Sequence, residues 1–109
     1  MRITPATIKV LQALMNAPVA PHYGYALMRV TGLKSGSLYP ILERLEHAGW
    51  VASRWEEVNE QHEGRPPRRY YQLTGLGQEH AARAVGEFLT QFGVKVTLGR
   101  PRPAWQAGS

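Results

Sequence analysis

Cysteine and aspartate are both missing from this sequence. Without cysteine there is no disulfide, no thiolate metal site and no thiol nucleophile, and the chain suits a reducing cytoplasmic setting. Four histidines remain, His22, His47, His62 and His80, but they share no metal-ligand spacing and read as surface residues. No serine stands in a nucleophile-elbow setting, so no catalytic constellation forms. Gly75-Leu76-Gly77 follows a strand-like run and opens a helix, yet lacks the third glycine of a phosphate-binding loop. The expectation is therefore a protein that is not an enzyme, with no cofactor and no metal. Long apolar runs are also missing: nothing approaches the ~18 residues of a membrane span. MRITPATIKVLQALM has neither the apolar core nor the cleavage site of a secretion signal. A cytoplasmic location without membrane insertion is expected.

What is present is a short, basic chain. Its 109 residues, 43% hydrophobic, suit one small domain. The net charge of +5 is arranged in blocks. Residues 1–40 carry Arg2, Lys9, Arg29 and Lys34 with no acid. Residues 41–64 hold six of the eight glutamates. Residues 65–109 are basic again, with Arg65, Arg68 and Arg69 close together. Segregated positive charge is what a polyanion-binding protein requires, although a solvated basic surface gives the same count.

The pattern predicts three helices, two strands and a final helix. Thr4-Pro5 is a helix start, with Thr4 as N-cap, Pro5 in the first turn, and Ile3 and Ile8 spaced as a hydrophobic staple. That helix runs to about Asn16. VAPHYG reads as a loop. Tyr25 to Thr31 reads as a short second helix with Ala26, Leu27 and Val30 inward, stopped by Gly32. In the third helix Leu38, Ile41, Leu42 and Leu45 follow helical spacing and Gly49 terminates it. Its cap is Ser35 or Ser37, and Pro40 is read as belonging to the first turn, where a missing N–H costs little. WVASRWEE and RRYYQL then alternate as strands, with Val51, Ser53 and Trp55 on one face and Arg69, Tyr71 and Leu73 on one face. Thr74 caps a fourth helix whose Ala81, Val85, Phe88 and Phe92, with Leu89 alongside, form a heptad-like seam ending near Gly93 or Val96. This is the order of a winged helix-turn-helix: mainly α with a small β-hairpin, a two-stranded wing and one extra helix.

On the third helix the small residues crowd the N-terminal end of the outward face. That is the end a recognition helix inserts into the major groove. Ser35, Ser37, Tyr39 and Pro40 form this end, Lys34 precedes it, and Arg44 is the one long donor suited to guanine. Plain helix capping explains the serines equally well, but not the outward Tyr39 and Pro40. In the loop, Arg65, Arg68 and Arg69 are spaced to reach phosphates or the minor groove from a wing. The preceding glutamates are their candidate partners when no DNA is bound.

GYALMRVTGLKSGSLYPILERLEHAGWVASRWEE and GRPPRRYYQLTGLGQE closely resemble the PadR-like family of winged-helix transcriptional regulators, over roughly residues 5 to 80. The combination of the LYP helix with the GRPxRRYY wing strand is the specific part. The resemblance implies a homodimeric repressor on palindromic double-stranded DNA. It assigns DNA contact to Ser35, Ser37, Tyr39, Pro40, Arg65, Arg68 and Arg69, with Tyr23 and Tyr25 as weaker candidates. It also implies dimerisation through the last helix, here Ala81, Val85, Phe88, Leu89 and Phe92. Some members hold a small aromatic effector between subunits. Phe88, Phe92 and Trp105 are the aromatics placed for one, though dimer core or tail is the plainer reading. The extra proline in GRPPRRYY alters the wing tip, and Gly75-Leu76-Gly77 removes an acidic residue from the helix start. The expected layout is residues 1–74 for the DNA-binding unit, 75–98 for the dimerisation helix and 99–109 for a flexible tail. A winged-helix module that binds an acidic protein is the alternative of a different class.

Overall fold

The computed structural model describes residues 1–92. Gly93, Val96, Trp105 and the expected tail, residues 99–109, lie outside the described residues. Helix α1, Pro5–Met15, starts as its first residues dictate: the Thr4 hydroxyl accepts the Thr7 N–H at 3.1 Å, and Pro5 opens the first turn. Its Ile8, Val10, Leu11 and Leu14 are buried, and Ile3 packs against the same core.

Strand β1, His22–Tyr23, falls in the stretch expected to be loop. It pairs antiparallel with β3, Arg69–Leu73, which in turn pairs with β2, Val51–Trp55, so the sheet has three strands in the order β1-β3-β2 rather than two. Two residues carry no period for a sequence to display. This strand exists because the outer edge of β3 offers unpaired backbone groups.

Helix α2, Gly24–Thr31, begins one residue earlier than expected and ends at Gly32, whose φ of 75° is the left-handed turn foreseen. Leu27 is buried as expected, but Val30 is exposed, because Gly24, Leu27 and Thr31 take the inward stripe. Helix α3, Ser35–His47, corrects the capping expectation. Lys34 occupies the cap position without a side-chain bond, and its carbonyl accepts from both Ser37 and Leu38 at 3.0 and 2.9 Å. Neither serine is the cap, and Pro40 lies in the second turn. There its missing N–H deprives the Gly36 carbonyl of a helical partner. Both residues are exposed, so water can take that carbonyl's place. The inward stripe of α3, Leu38, Ile41, Leu42 and Leu45, is buried as spaced.

In the wing loop a single helical turn, α4 at Glu60–Glu63, is held by Asn59. Helix α5, Gly75–Gln91, is capped by Thr74, which accepts the Gly77 N–H at 2.9 Å and donates its hydroxyl to the Gly49 carbonyl at 2.6 Å. The Thr74 N–H reaches the Trp50 carbonyl at 2.9 Å, binding the helix start to the end of α3. Beyond that start α5 lies along α1, and the core closes between them with Ala81 and Val85 buried. No helix among the described residues is long and apolar enough to cross a membrane.

Candidate nucleic-acid interface

With its apolar stripe turned inward, α3 exposes Ser35, Gly36, Ser37, Tyr39, Pro40, Glu43, Arg44 and His47, preceded by the exposed Lys34. The end of this face formed by residues 35–37 is therefore bare of bulk, and it stands uncovered. Tyr39 is fixed from behind: its ring lies against Gly24, where a Cβ would strike the phenol hydroxyl. A side chain at 24 would therefore displace the Tyr39 ring from this position. A hollow of about 720 Å³ runs along the same face, lined by Met1, Arg2, Pro40, Glu43, Arg44, His47 and Ala48. It places Arg2, not among the expected contacts, beside Arg44.

The wing arginines are not free. Glu56, the residue after β2, gathers them. Arg65 donates to its carboxylate at 2.7 and 3.4 Å, Tyr23 OH at 2.8 Å and the Arg68 backbone N–H at 3.0 Å. These donors, Arg65 foremost, hold the Glu56 pKa down to about 2, and the hydrogen bond to Glu56 raises that of Tyr23. The guanidinium of Arg68 sits 5.4 Å above the Tyr25 ring, which stacks on Tyr23 at 5.7 Å, with Tyr70 edge-on to Tyr23 at 6.1 Å. Tyr23 and Tyr25 therefore join the wing to the start of α2. Arg69 turns to the other side of the sheet. It donates to Glu46 at 3.2 Å and to the Ser53 hydroxyl at 2.7 Å, and Ser53 donates to Glu46 at 2.6 Å. This strut ties the wing to α3. Glu46 and Ser53 were not legible as partners of Arg69, being 23 and 16 positions away in the chain.

A depressed carboxylate sets the sign of a pH effect. The Glu56 contacts contribute fully above its ordinary value of 4.5 and are lost as pH falls toward about 2. NMR of the Arg68 amide and the Tyr23 ring is expected to show the wing intact at pH 5 to 8, loosening only well below the ordinary carboxylate range. In Glu56→Gln the same signals should already be displaced at pH 7.

Of the residues expected at a dimer seam, Ala81 and Val85 fill the chain's own core and are unavailable to a partner. Phe88 and Leu89 are partly buried, while Phe92 is 66% exposed, its ring 4.8 Å from that of Phe88. A cluster of metal-ligating side chains does not occur among the described residues.

Three helices, a bare end of α3 and an arginine-bearing hairpin tied to that helix define a winged helix-turn-helix protein. A model of the Transcriptional regulator PadR-like family matches residues 10–83, more than half of the chain, and the chain belongs to that family. The family is one of transcription regulators. The fold is similar to that of a PadR-like transcription factor from Bacteroides fragilis, 23% identical at a TM-score of 0.63 over 80% of this chain and 82% of that one. A PadR family transcriptional regulator from Eggerthella lenta is 27% identical at 0.62, over 77% and 74%. AbfR, of which a structure from Staphylococcus epidermidis is also known, has been solved in its overoxidized form bound to DNA; that DNA-bound structure is 28% identical at a TM-score of 0.63, with 83% of this chain and 59% of that one covered. No curated protein matches the chain.

Proposed function

We propose that the protein is a homodimeric repressor that binds a palindromic operator in double-stranded DNA. The observation that carries this reading is the uncovered end of α3, small at Ser35, Gly36 and Ser37 and flanked by Lys34, Tyr39, Pro40 and Arg44. Two such ends enter successive major grooves about 34 Å apart. Arg65, Arg68 and Arg69 border the backbone from the wings, with Tyr23 and Tyr25 supporting them. Residues 1–74 form the reading unit. The segment 75–98 joins two copies, through Phe88, Leu89 and Phe92 among its described residues, and 99–109 is a tail. A small aromatic effector near Phe88 and Phe92 would act by changing the spacing of the two recognition helices. AbfR solved on DNA supports a duplex as the partner.

The test uses a duplex selected by the protein from a random pool. Arg65→Ala with Arg68→Ala is expected to weaken binding on all sequences and to flatten the slope of log K against log salt, each lost phosphate contact removing about 0.9 from it. Unchanged affinity and slope would show that Arg65 serves only to hold Glu56 and the Arg68 side chain only to pack on Tyr25. Binding without preference over competitor DNA would favour a protein-binding module instead.

A further inference from the structure

Val51, Ser53 and Trp55 alternate onto one face of β2 and stand opposite Leu73, Tyr71 and Arg69 of β3. Chemistry changes along that face. At its inner end Val51, Leu73 and Tyr71 are core. In its middle, Ser53 and Arg69 are bonded to Glu46 of α3, which shows that this is the side of the sheet turned toward the recognition helix. At its outer end is Trp55, 65% exposed, the largest apolar side chain left uncovered among the described residues. The contacts gathered by Glu56 lie on the opposite face, because strand alternation reverses between residues 55 and 56, so they do not cover the indole.

A single exposed apolar side chain is ordinary on a protein surface. This one differs in where it is held. The Glu46, Ser53 and Arg69 strut sets the angle between wing and α3, and Trp55 is the next residue outward on the same side, directly across from Arg69. We infer that Trp55 is a DNA-contact residue, its indole packing on the deoxyribose edge of the strand that passes between the recognition helix and the wing. The inference rests on the DNA-binding reading above. A duplex fits better than a protein partner because the ring stands on the side of the sheet turned toward α3, with Arg69 directly across from it, while Arg54 and Arg68 alternate onto the opposite face. A phosphate meets Arg69 while the neighbouring sugar edge offers an apolar surface to the ring, and the indole N–H can donate to a phosphate oxygen.

The full chain with Trp55→Ala or Trp55→Phe, titrated onto a duplex selected by the unaltered protein, separates this role from that of the arginines. Trp55→Ala is expected to lose about tenfold or more in affinity at every salt concentration. Its salt slope should be unchanged, since the indole neutralises no phosphate. Its melting temperature should match that of the unaltered chain, because an exposed side chain contributes little to the core. Trp55→Phe should retain part of the affinity. It should also lose most of the tryptophan fluorescence change on duplex binding, although Trp50 and Trp105 remain. Affinity of Trp55→Ala within about twofold of the unaltered chain overturns the inference, as does an emission change that survives in Trp55→Phe. Failure of the unaltered protein to bind any selected duplex is a different result, and overturns the DNA-binding reading itself.

Discussion

Gly77→Ala is expected to cost about 3 kcal/mol of unfolding free energy, the upper part of the range for overpacking a close backbone contact. A Cβ at this position would be driven into the carbonyl oxygen, carbonyl carbon and Cα of Trp50. None of these can swing aside as a side-chain end would. The same Trp50 carbonyl accepts the Thr74 N–H at 2.9 Å, so moving it away also releases the cap of α5. Gly75→Ala is the control on the same helix. A Cβ there meets nothing within 4 Å, and alanine should leave stability unchanged or raise it by up to about 1 kcal/mol. Urea unfolding of the two variants tests the contrast. If Gly77→Ala unfolds at the same midpoint as Gly75→Ala, the docking of α5 on Trp50 is not as described. In the proposed dimer, which rests on Phe88 and Phe92 of α5, sedimentation of Gly77→Ala should also report weaker self-association.

The second large effect separates folding from binding in the opposite sense. Gly36→Glu is expected to abolish specific DNA binding, by on the order of a hundredfold, while the protein becomes slightly more stable. A side chain at position 36 finds open space in the free protein, and glutamate in a first helical turn is favoured by propensity and by the helix dipole. In a major groove the same carboxylate would hold the backbone of α3 off the bases and face the phosphates. Thermal melting and duplex titration of one variant therefore give changes of opposite sign. A stable variant that still binds its operator would remove the end of α3 from the interface.

The inward stripe of α3 and the helix start at Thr4-Pro5 were read correctly because both follow from local spacing and capping chemistry. The cap of α3 was not. Serines near a helix start are good caps, but here Lys34 takes the extended backbone conformation and its carbonyl closes the first turn, leaving both serines exposed. The pairing of glutamates with wing arginines was expected in kind. Which glutamate serves which arginine was hidden: Glu56 takes Arg65, and Glu46, on α3, takes Arg69. The seam of α5 was read as one partner-facing stripe, whereas α1 covers its first half and leaves only the Phe88 to Phe92 end exposed or partly so.

By itself, the sequence determined the periodic parts: the order of the main helices and wing strands, the inward faces of α1 and α3, the turns at Gly32 and Gly49, and the small-residue end of α3. Each of these depends on residues within a turn or two of one another, so the chain carries the information locally. Only the tertiary structure decided the third strand at His22 and Tyr23, the Glu56 and Glu46 junctions, the need for glycine at 77, the approach of Tyr39 to Gly24, and the direction in which Trp55 points relative to α3. Each of those depends on which surfaces meet once the core has closed, and contacts between residues far apart in the chain leave no period in it.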